Sequence, residues 1–154
     1  MKVLFDTNVI IDALTDRNEE SKYSRRLLEY VAVKRIDGYI CAKQITDIYY
    51  VLRKYFDEDK RRALIKTLCK VFNILPLLSG SISYCLNSNI KDYEDAIIDE
   101  TAKINAIDYL VTNNEKDFEN AKAAIIRPKE LFSFVRVIEE NSSYSSSPTG
   151  FTIE

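Results

Sequence analysis

The chain has 154 residues, of which 46% are hydrophobic and 30% are charged, so it has the size and composition of one globular domain with a sizeable core. Its 22 Lys and Arg residues against 24 Asp and Glu residues give a net charge of -2, which argues against a protein that binds nucleic acid by bulk positive charge. The sequence contains no histidine, which excludes His-based triads, His general bases and most zinc enzymes. Catalysis would therefore depend on other side chains, and carboxylates with a hard cation are the natural combination.

Two further features of the sequence concern its location in the cell. No apolar run reaches the ~18 residues of a membrane span, and the first apolar stretch is too short for a secretory signal. The three cysteines, Cys41, Cys69 and Cys85, are odd in number and widely spaced, which is typical of reduced thiols. We therefore predict a cytoplasmic protein that makes no contact with a membrane.

Short apolar runs alternate with stretches of helical periodicity along the chain. The runs that predict strands cover residues 3–5, 39–41, 72–77, 109–112 and 124–126. Alternation of strands and helices predicts an α/β fold, with parallel strands and helices on both faces of the sheet. The end of the chain, residues 141–154, is Ser-rich and lacks periodicity, which predicts a mobile extension; a docked, partner-binding tail is the alternative.

Acidic residues follow several of the predicted strands. Asp6 comes directly after the first strand, Asp47 lies near the start of the helix after the second, and Asp117 follows the fourth by a few residues. Asp95 and Asp99 share one face of the helix before the fourth strand. Ligands of an open parallel sheet bind beyond the carboxyl ends of its strands. We therefore expect these carboxylates to converge at one edge of the sheet.

Each acid also has a purely structural interpretation. Asp6 could cap a helix that begins at the next residue, and Asp92 with Asp95, like Asn114 with Asp117, fits a capping box. Carboxylates that converge repel one another, however, and raise one another's pKa. With no His and no obvious Arg among them, the balancing charge is expected to come from one or two Mg²⁺ or Mn²⁺ ions.

Four stretches of the sequence, in this order and spacing, resemble the PIN-domain nucleases: FDTNVIIDAL, ITDIYYVLRKY, DYEDAIIDETAKINAIDYLVTNNEKDF and IIRPKELF. The likeness is greatest to the toxin-type, VapC-like branch. It covers residues 1–137 as the nuclease domain and leaves 138–154 as a Ser-rich, mobile C-terminal tail. It implies a three-layer α/β/α sandwich around a central, mostly parallel five-stranded sheet, with a metal site that hydrolyses single-stranded RNA. It further implies a type II toxin with an antitoxin protein as partner, and a homodimer.

The resemblance also implies roles for individual residues. The implied catalytic acids are Asp6, Asp47, Asp95 and Asp117; the implied Mg²⁺ or Mn²⁺ ligands are Asp6, Asp95 and Asp117, with Asp99 as a further acid that could compensate for missing charge; the supporting polar residues are Asn8, Thr112, Asn113 and Asn114.

Two departures from the family pattern bear on the metal site. The third-helix acid is commonly Glu, whereas Asp47 is one methylene shorter. Many relatives carry Asp where this chain has the neutral Asn113 and Asn114. These changes lower the charge available for a second ion, and they leave open whether Asp117 or an asparagine provides the fourth ligand.

The expected reaction is attack of a metal-activated water on phosphorus, which leaves a 5′-phosphate and a 3′-hydroxyl. Binding of single-stranded or structured RNA requires positive charge outside the acidic cleft, and Lys22, Arg25 and Arg26 are the predicted contacts, although such residues usually belong to solvated helix faces. Two alternatives remain: a non-catalytic PIN-like module that binds RNA or protein, and a phosphotransferase or phosphatase with Asp6 as nucleophile.

Overall fold

The computed structural model describes residues 1–145 of the chain, and it contains one sheet of five strands. All four strand pairs are parallel, and the order across the sheet is β3-β2-β1-β4-β5. The strands are β1 (Lys2–Phe5), β2 (Asp37–Cys41), β3 (Asn73–Leu75), β4 (Tyr109–Val111) and β5 (Ile125–Ile126). Each strand overlaps one of the predicted apolar runs, so the predicted parallel five-stranded sheet is confirmed.

Seven α-helices occur within the described residues. They are α1 (Thr7–Thr15), α2 (Ser21–Ala32), α3 (Ala42–Val51), α4 (Glu58–Val71), α5 (Ser79–Tyr84), α6 (Tyr93–Ile104) and α7 (Pro128–Ser145). Short 3₁₀ segments cover Leu52–Lys54, Cys85–Asn87 and Glu115–Phe118. Acidic caps mark several helix starts, since Asp57 accepts a hydrogen bond from the backbone N–H of Lys60, and Asp92 accepts one from that of Asp95.

Alternate side chains of β1 pack into two separate hydrophobic clusters, because successive residues of a strand point to opposite faces of its sheet. Val3 and Phe5 pack on one face, in a cluster that includes Leu131 of α7. Leu4 packs on the other face with Ile98 of α6. Helices therefore cover both faces of the sheet, and the three-layer α/β/α arrangement is confirmed.

The central position of β1 determines where the residue that follows it lies. The strand pairs with β2 on one side and β4 on the other. The backbone N–H of Asp6 donates to the carbonyl of Val111 at 3.0 Å, which extends the pairing with β4 by one residue. Asp6 is thereby held at the carboxyl edge of the sheet, close to the end of β4.

Helix α7 runs through the predicted domain boundary at residue 137 and ends at Ser145. Arg35 pairs with Glu139 at 2.8 Å, and the Tyr30 hydroxyl donates to Glu139 at 3.4 Å, which anchors this part of α7 to the region of α2. The segment predicted as a tail thus begins inside a helix. Residues 146–154, the rest of that segment, lie outside the described residues.

No helix within residues 1–145 combines the length and the apolar character that a membrane crossing requires.

Candidate active site

Asp6 is both a helix cap and a buried carboxylate at the end of the central strand. Its Oδ1 accepts a hydrogen bond from the Thr7 N–H at 2.8 Å, and its Oδ2 accepts one from the Thr112 hydroxyl at 2.7 Å. Only 5% of the residue is exposed. Burial raises the pKa of Asp6, the two hydrogen bonds oppose that rise, and the charges of Asp117 and Asp12 add to it. The structure therefore holds this carboxyl group rigidly where its negative charge is unfavourable.

Gln44, which the sequence analysis did not identify, braces the same strand end. Its buried side-chain amide donates to the Phe5 carbonyl at 2.7 Å and accepts from the Cys41 N–H at 2.8 Å. A weaker contact of 3.3 Å reaches the Thr7 hydroxyl. The end of β1 and the start of α3 are consequently tied together through one side chain.

An open cleft of about 300 Å³ lies beside Asp6, between the start of α1, α3 and the start of α6. The charged residue types among its lining are Asp6, Lys43, Asp47, Glu94 and Asp95. The structure thus brings three of the four predicted catalytic acids, Asp6, Asp47 and Asp95, to one cleft. Asn8 also lines the cleft. Thr112, the residue after β4, contacts Asp6 through its hydroxyl group.

Among the carboxyl groups of the cleft, that of Asp95 has the most strongly shifted pKa. Burial and then the charges of Asp6, Asp92, Asp117 and Glu94 raise its pKa from 3.8 to about 7. All five of these effects act in the same direction. Negative charge on the Asp6–Asp95 side of the cleft is therefore poorly compensated by the protein itself.

Asp117 lies at the border of this arrangement. It is an exposed residue of the 3₁₀ segment Glu115–Phe118 and is not among the residues that line the cleft. Its charge nevertheless raises the pKa of both Asp6 and Asp95, so the three carboxylates are electrostatically coupled. The capping box expected from Asn114 is not formed, because the Asn114 side chain makes no cap hydrogen bond; its backbone N–H instead donates to the Thr112 hydroxyl oxygen at 3.0 Å.

Lys43 supplies positive charge inside the cleft. Its Nζ lies 2.6 Å from Asp47 Oδ2 and 3.2 Å from Glu94 Oε1. Burial lowers the pKa of Lys43, but the hydrogen bonds to Asp47 and Glu94 outweigh burial and raise it. From the sequence, only an external metal ion was predicted to balance the charge of the acids. The four-residue spacing of Lys43 and Asp47 on one helix was the signal that could have revealed this pair.

A second acidic residue, Asp12, organises a polar network next to the cleft. It is 2% exposed, pairs with Arg17, and accepts a hydrogen bond from the Asn113 side-chain amide at 2.6 Å. Arg17 also donates to Asn8 Oδ1 at 3.3 Å. Asn113, predicted as a polar residue of the site, is thus oriented by Asp12. A charge within the apolar stretch VIIDAL, four residues after Asn8, was the available signal for this network.

Asp99 lies away from the acidic cleft, although it shares a helix face with Asp95. Its carboxylate accepts backbone hydrogen bonds from Lys122 at 3.0 Å and Ala123 at 2.9 Å, and it lines a separate cavity beside Tyr84. The residue is 4% exposed. Its observed contacts secure the segment that leads into β5, and they do not join it to Asp6.

The three cations predicted to contact RNA lie on the exposed surface of α2. Arg26 pairs with Glu29 at 2.7 Å, and Arg25 pairs with Asp16. Lys22 lies over the ring of Tyr23, 5.2 Å from its centroid. None of the three lines the acidic cleft, where the cation present is Lys43.

The donor set of the cleft suits a hard divalent cation, since carboxylate oxygens are the ligands that Mg²⁺ and Mn²⁺ prefer. Within residues 1–145, no group of three or more Asp, Glu, Cys or His side chains is arranged so that it could hold a metal ion. Mg²⁺ usually binds proteins through one or two carboxylates and keeps several waters, so a group of three is not required. The poorly compensated pair of Asp6 and Asp95 fits such a site, with Asp117 nearby.

Comparison with known proteins identifies the family of the chain. The family model for the PIN domain matches residues 2–116. Ribonuclease VapC1 of Aquifex aeolicus (strain VF5) is 29% identical over 137 residues, which span 84% of this chain and 92% of that protein.

Solved structures share the fold as well. A toxin-antitoxin complex from Klebsiella pneumoniae includes a chain that is 27% identical, with a TM-score of 0.59 over 82% of this chain and 97% of that one. PAE2754 from Pyrobaculum aerophilum is similar in fold, with a TM-score of 0.63 at 15% identity over 89% of this chain and 90% of that one. The match of the family model to most of the chain confirms the resemblance seen in the sequence: the chain belongs to the PIN domain family.

Proposed function

We propose that this protein is an endoribonuclease that depends on Mg²⁺ or Mn²⁺, hydrolyses single-stranded RNA, and acts as the toxin of a type II toxin-antitoxin pair. One observation carries the proposal: Asp6, buried at the end of the central strand, faces the same cleft as Asp95, whose pKa is raised to about 7. Such a cleft favours a bound cation that substrate phosphates can also contact. Similarity to ribonuclease VapC1 supports the choice of RNA as substrate.

Asp6 and Asp95 would hold the ion, and Asp117, the third predicted ligand, would add its negative charge beside them. When bound, the ion supplies Lewis-acid stabilisation of the phosphodiester and acidifies water. Thr112 and Gln44 keep Asp6 in place from two sides, through the hydroxyl bond to Oδ2 and through the brace on the Phe5 carbonyl. Asp47, held by Lys43, faces the same cleft and can orient a water at its margin.

The two alternative functions are less well supported. Both oxygens of Asp6 already accept hydrogen bonds, which lowers their reactivity as nucleophiles in a phosphatase or phosphotransferase. A non-catalytic PIN module is favoured by the neutral Asn113 and Asn114. It is also favoured by the lack, among residues 1–145, of three or more Asp, Glu, Cys or His side chains grouped so that they could hold a metal ion. Titration of Mn²⁺ against thermal unfolding separates this alternative, because an intact acidic site is stabilised by its ion.

The proposal includes two protein partners. Similarity to a chain of a toxin-antitoxin complex supports an antitoxin that covers the cleft. A homodimer is also proposed, with exposed apolar side chains as the surface it would use; Ile82 and Leu86, near the end of α5, are 42% and 70% exposed. Mass measurement of the isolated chain at low concentration tests the dimer, and a monomer would contradict it.

The direct test is cleavage of single-stranded RNA by the purified chain with Mg²⁺, with Mn²⁺ and with EDTA. The unmodified protein should cleave only with metal, and Asp6→Asn should lower the rate by about 100-fold or more because it removes a ligand charge. Asp37→Asn is the matched control, since it makes the same change at the amino end of β2, at the opposite edge of the sheet.

Thermal unfolding and circular dichroism must first show that both variants are folded. EDTA-resistant cleavage that survives Asp6→Asn would contradict the proposal. Absence of cleavage by the unmodified chain, together with absence of stabilisation by Mn²⁺, would favour the non-catalytic alternative.

A further inference from the structure

One face of α3 presents a line of side chains to the acidic cleft. Lys43, Asp47 and Tyr50 all line it, at spacings of four and three residues that place them on the same side of a helix. Lys43 and Asp47 lie deeper and pair with each other. Tyr50 stands at the end of this line, in the last turn of α3, and is 61% exposed.

The exposed ring of Tyr50 is held by an arginine. The guanidinium carbon of Arg53 lies 3.7 Å from the ring centroid, and its Nη1 donates to the Tyr50 carbonyl at 3.0 Å. A cation in this position stacks on an aromatic ring and limits its motion. Arg53 follows Tyr50 by three residues in the 3₁₀ segment Leu52–Lys54. The pair is therefore a planar surface with an attached positive charge at the mouth of the cleft.

Other tyrosines that contact a cation lack this location, and two of them serve as examples. Tyr49 is stacked by Arg61 and lines a shallow apolar depression with Ile65. Tyr84 lies under Lys122 beside the separate cavity that contains Asp99. Neither tyrosine lines the cleft of Asp6. The position of Tyr50, and not the presence of an aromatic–cation pair alone, distinguishes it.

The cleft is lined mainly by acids, so an RNA-binding protein would need a contact that adds affinity without relying on attraction of phosphate. Asp6, Asp47, Glu94 and Asp95 repel phosphate, and Lys43 is already paired within the cleft. The surface arginines of α2 are paired with acids and do not line the cleft. Stacking of a base on an aromatic ring adds affinity that does not depend on net positive charge and tolerates any base.

We propose that Tyr50 and Arg53 form a binding site for one unpaired nucleobase of an RNA strand whose neighbouring phosphodiester enters the acidic cleft. The site rests on the proposed ribonuclease function and specifies how its substrate is held. The base stacks on the exposed Tyr50 ring, and the Arg53 guanidinium is close enough to the ring to meet the adjoining phosphate. Double-stranded RNA, whose bases are already stacked and paired, cannot use this site.

The test uses the fact that the chain contains no tryptophan. Tyr50→Trp introduces a single fluorescent reporter at the proposed site, and Tyr84→Trp introduces the same reporter beside the other cavity. Both proteins are titrated in EDTA, which prevents cleavage, with short oligoadenylate, with a double-stranded RNA of the same length and with inorganic polyphosphate.

The proposal predicts strong quenching of the reporter at position 50 by oligoadenylate, and little quenching by polyphosphate or duplex RNA. The reporter at position 84 should respond to none of them. Equal quenching at position 50 by polyphosphate, or no quenching by oligoadenylate, would overturn the base site. An emission change that follows protein concentration and not RNA would assign Tyr50 to a contact with a second copy, and would overturn it too.

A binding measurement with the native side chain provides the second arm. Tyr50→Leu should weaken oligoadenylate binding by about 5- to 100-fold, whereas Tyr50→Phe should retain most of it because the ring remains. Thermal unfolding of each variant checks the fold. Unchanged affinity of a folded Tyr50→Leu protein that still cleaves RNA would overturn the base site alone, while loss of metal-dependent cleavage by the unmodified chain would overturn the function on which it rests.

Discussion

The ammonium group of Lys43 lies 2.6 Å from Asp47 Oδ2, so the acid assigned to the third helix already has a positive partner. The same ammonium lies 3.2 Å from Glu94. The charges that act most strongly on Asp95, those of Asp6, Asp92, Asp117 and Glu94, are all negative and raise its pKa. A divalent cation would therefore gain most beside Asp6 and Asp95, whose negative charges repel each other.

Removal of the Lys43 charge should alter the response to metal. Lys43→Met leaves Asp47 and Glu94 without their cation, so the metal-free protein should lose about 1 kcal/mol of unfolding free energy, and Mn²⁺ should bind more tightly. Differential scanning fluorimetry with increasing Mn²⁺ measures both effects. Lys43→Arg, which keeps the charge, should resemble the unmodified protein. An Mn²⁺ response of Lys43→Met identical to that of the unmodified protein would show that the charge of Lys43 does not influence cation binding in the cleft.

The stability of the metal-free protein should fall as pH rises from about 4 to about 7. The folded pKa of Asp95, about 7, lies above its ordinary value of 3.8, so in this window the folded state keeps a proton that the unfolded state has lost. The raised pKa of Asp6 acts in the same direction. Asp95→Asn should flatten this dependence, and above neutral pH it should stabilise the protein by about 1–2 kcal/mol, allowing for partial exposure.

Urea unfolding in EDTA at several pH values checks this prediction. Added Mg²⁺ should restore stability above neutral pH in the unmodified protein and have little effect on Asp95→Asn. A stability that rises with pH across the same window in the unmodified protein would show that Asp95 is not an uncompensated acid.

The sequence predicts the sheet well because buried parallel strands are continuous apolar runs with little ambiguity. It also predicts that Asp6 lies at the carboxyl edge, because this residue follows the central strand β1 directly. Contacts between different helices and strands cannot be predicted in this way. The local sequence around Lys43 gives no sign of Glu94, its second partner, because only the docking of α6 against α3 brings the two together.

Asp99 shows a different limit of the sequence argument. Helical spacing correctly places it on the packed side of α6, with Asp95 one turn earlier. Which neighbour it meets there depends on the path of residues 122–123, whose backbone N–H groups it binds. A buried carboxylate requires hydrogen-bond donors, and backbone amides satisfy that need as well as a metal does.

Asp99→Asn should consequently cost stability without loss of the metal response. The substitution replaces one acceptor oxygen by an NH2 group that cannot accept from a backbone N–H, so at the Oδ2 position it loses one of the two bonds from Lys122. We expect a decrease of about 1–3 kcal/mol in unfolding free energy. Chemical unfolding gives the decrease, and the shift in unfolding temperature with Mn²⁺ gives the metal response. A folded Asp99→Asn protein that no longer responds to Mn²⁺ would restore Asp99 as a ligand.

The hydroxyl of Thr112 should favour the ionised form of Asp6. Thr112→Val keeps the shape of a fully buried side chain but removes the donor to Asp6 Oδ2, at an expected cost of about 1.5–3 kcal/mol in unfolding free energy. Because the lost hydrogen bond favours the charged carboxylate, the pKa of Asp6 should rise further, and cleavage should require a higher pH.

The pH dependence of RNA cleavage measures that shift, and Thr112→Ser serves as the control since it retains the hydroxyl. Identical pH profiles for Thr112→Val and the unmodified protein would mean that the hydroxyl does not influence the ionisation of Asp6.

The way β1 and β4 meet has a consequence for synthesis of the protein. Asp6 is among the first residues to be translated, yet Thr112, which fixes its carboxylate, and Asp117 follow more than a hundred residues later. A growing polypeptide on the ribosome thus carries Asp6 long before the strand whose end fixes its carboxylate. If the proposed ribonuclease activity depends on Asp6 in this position, it can begin only when nearly the whole domain has been synthesised.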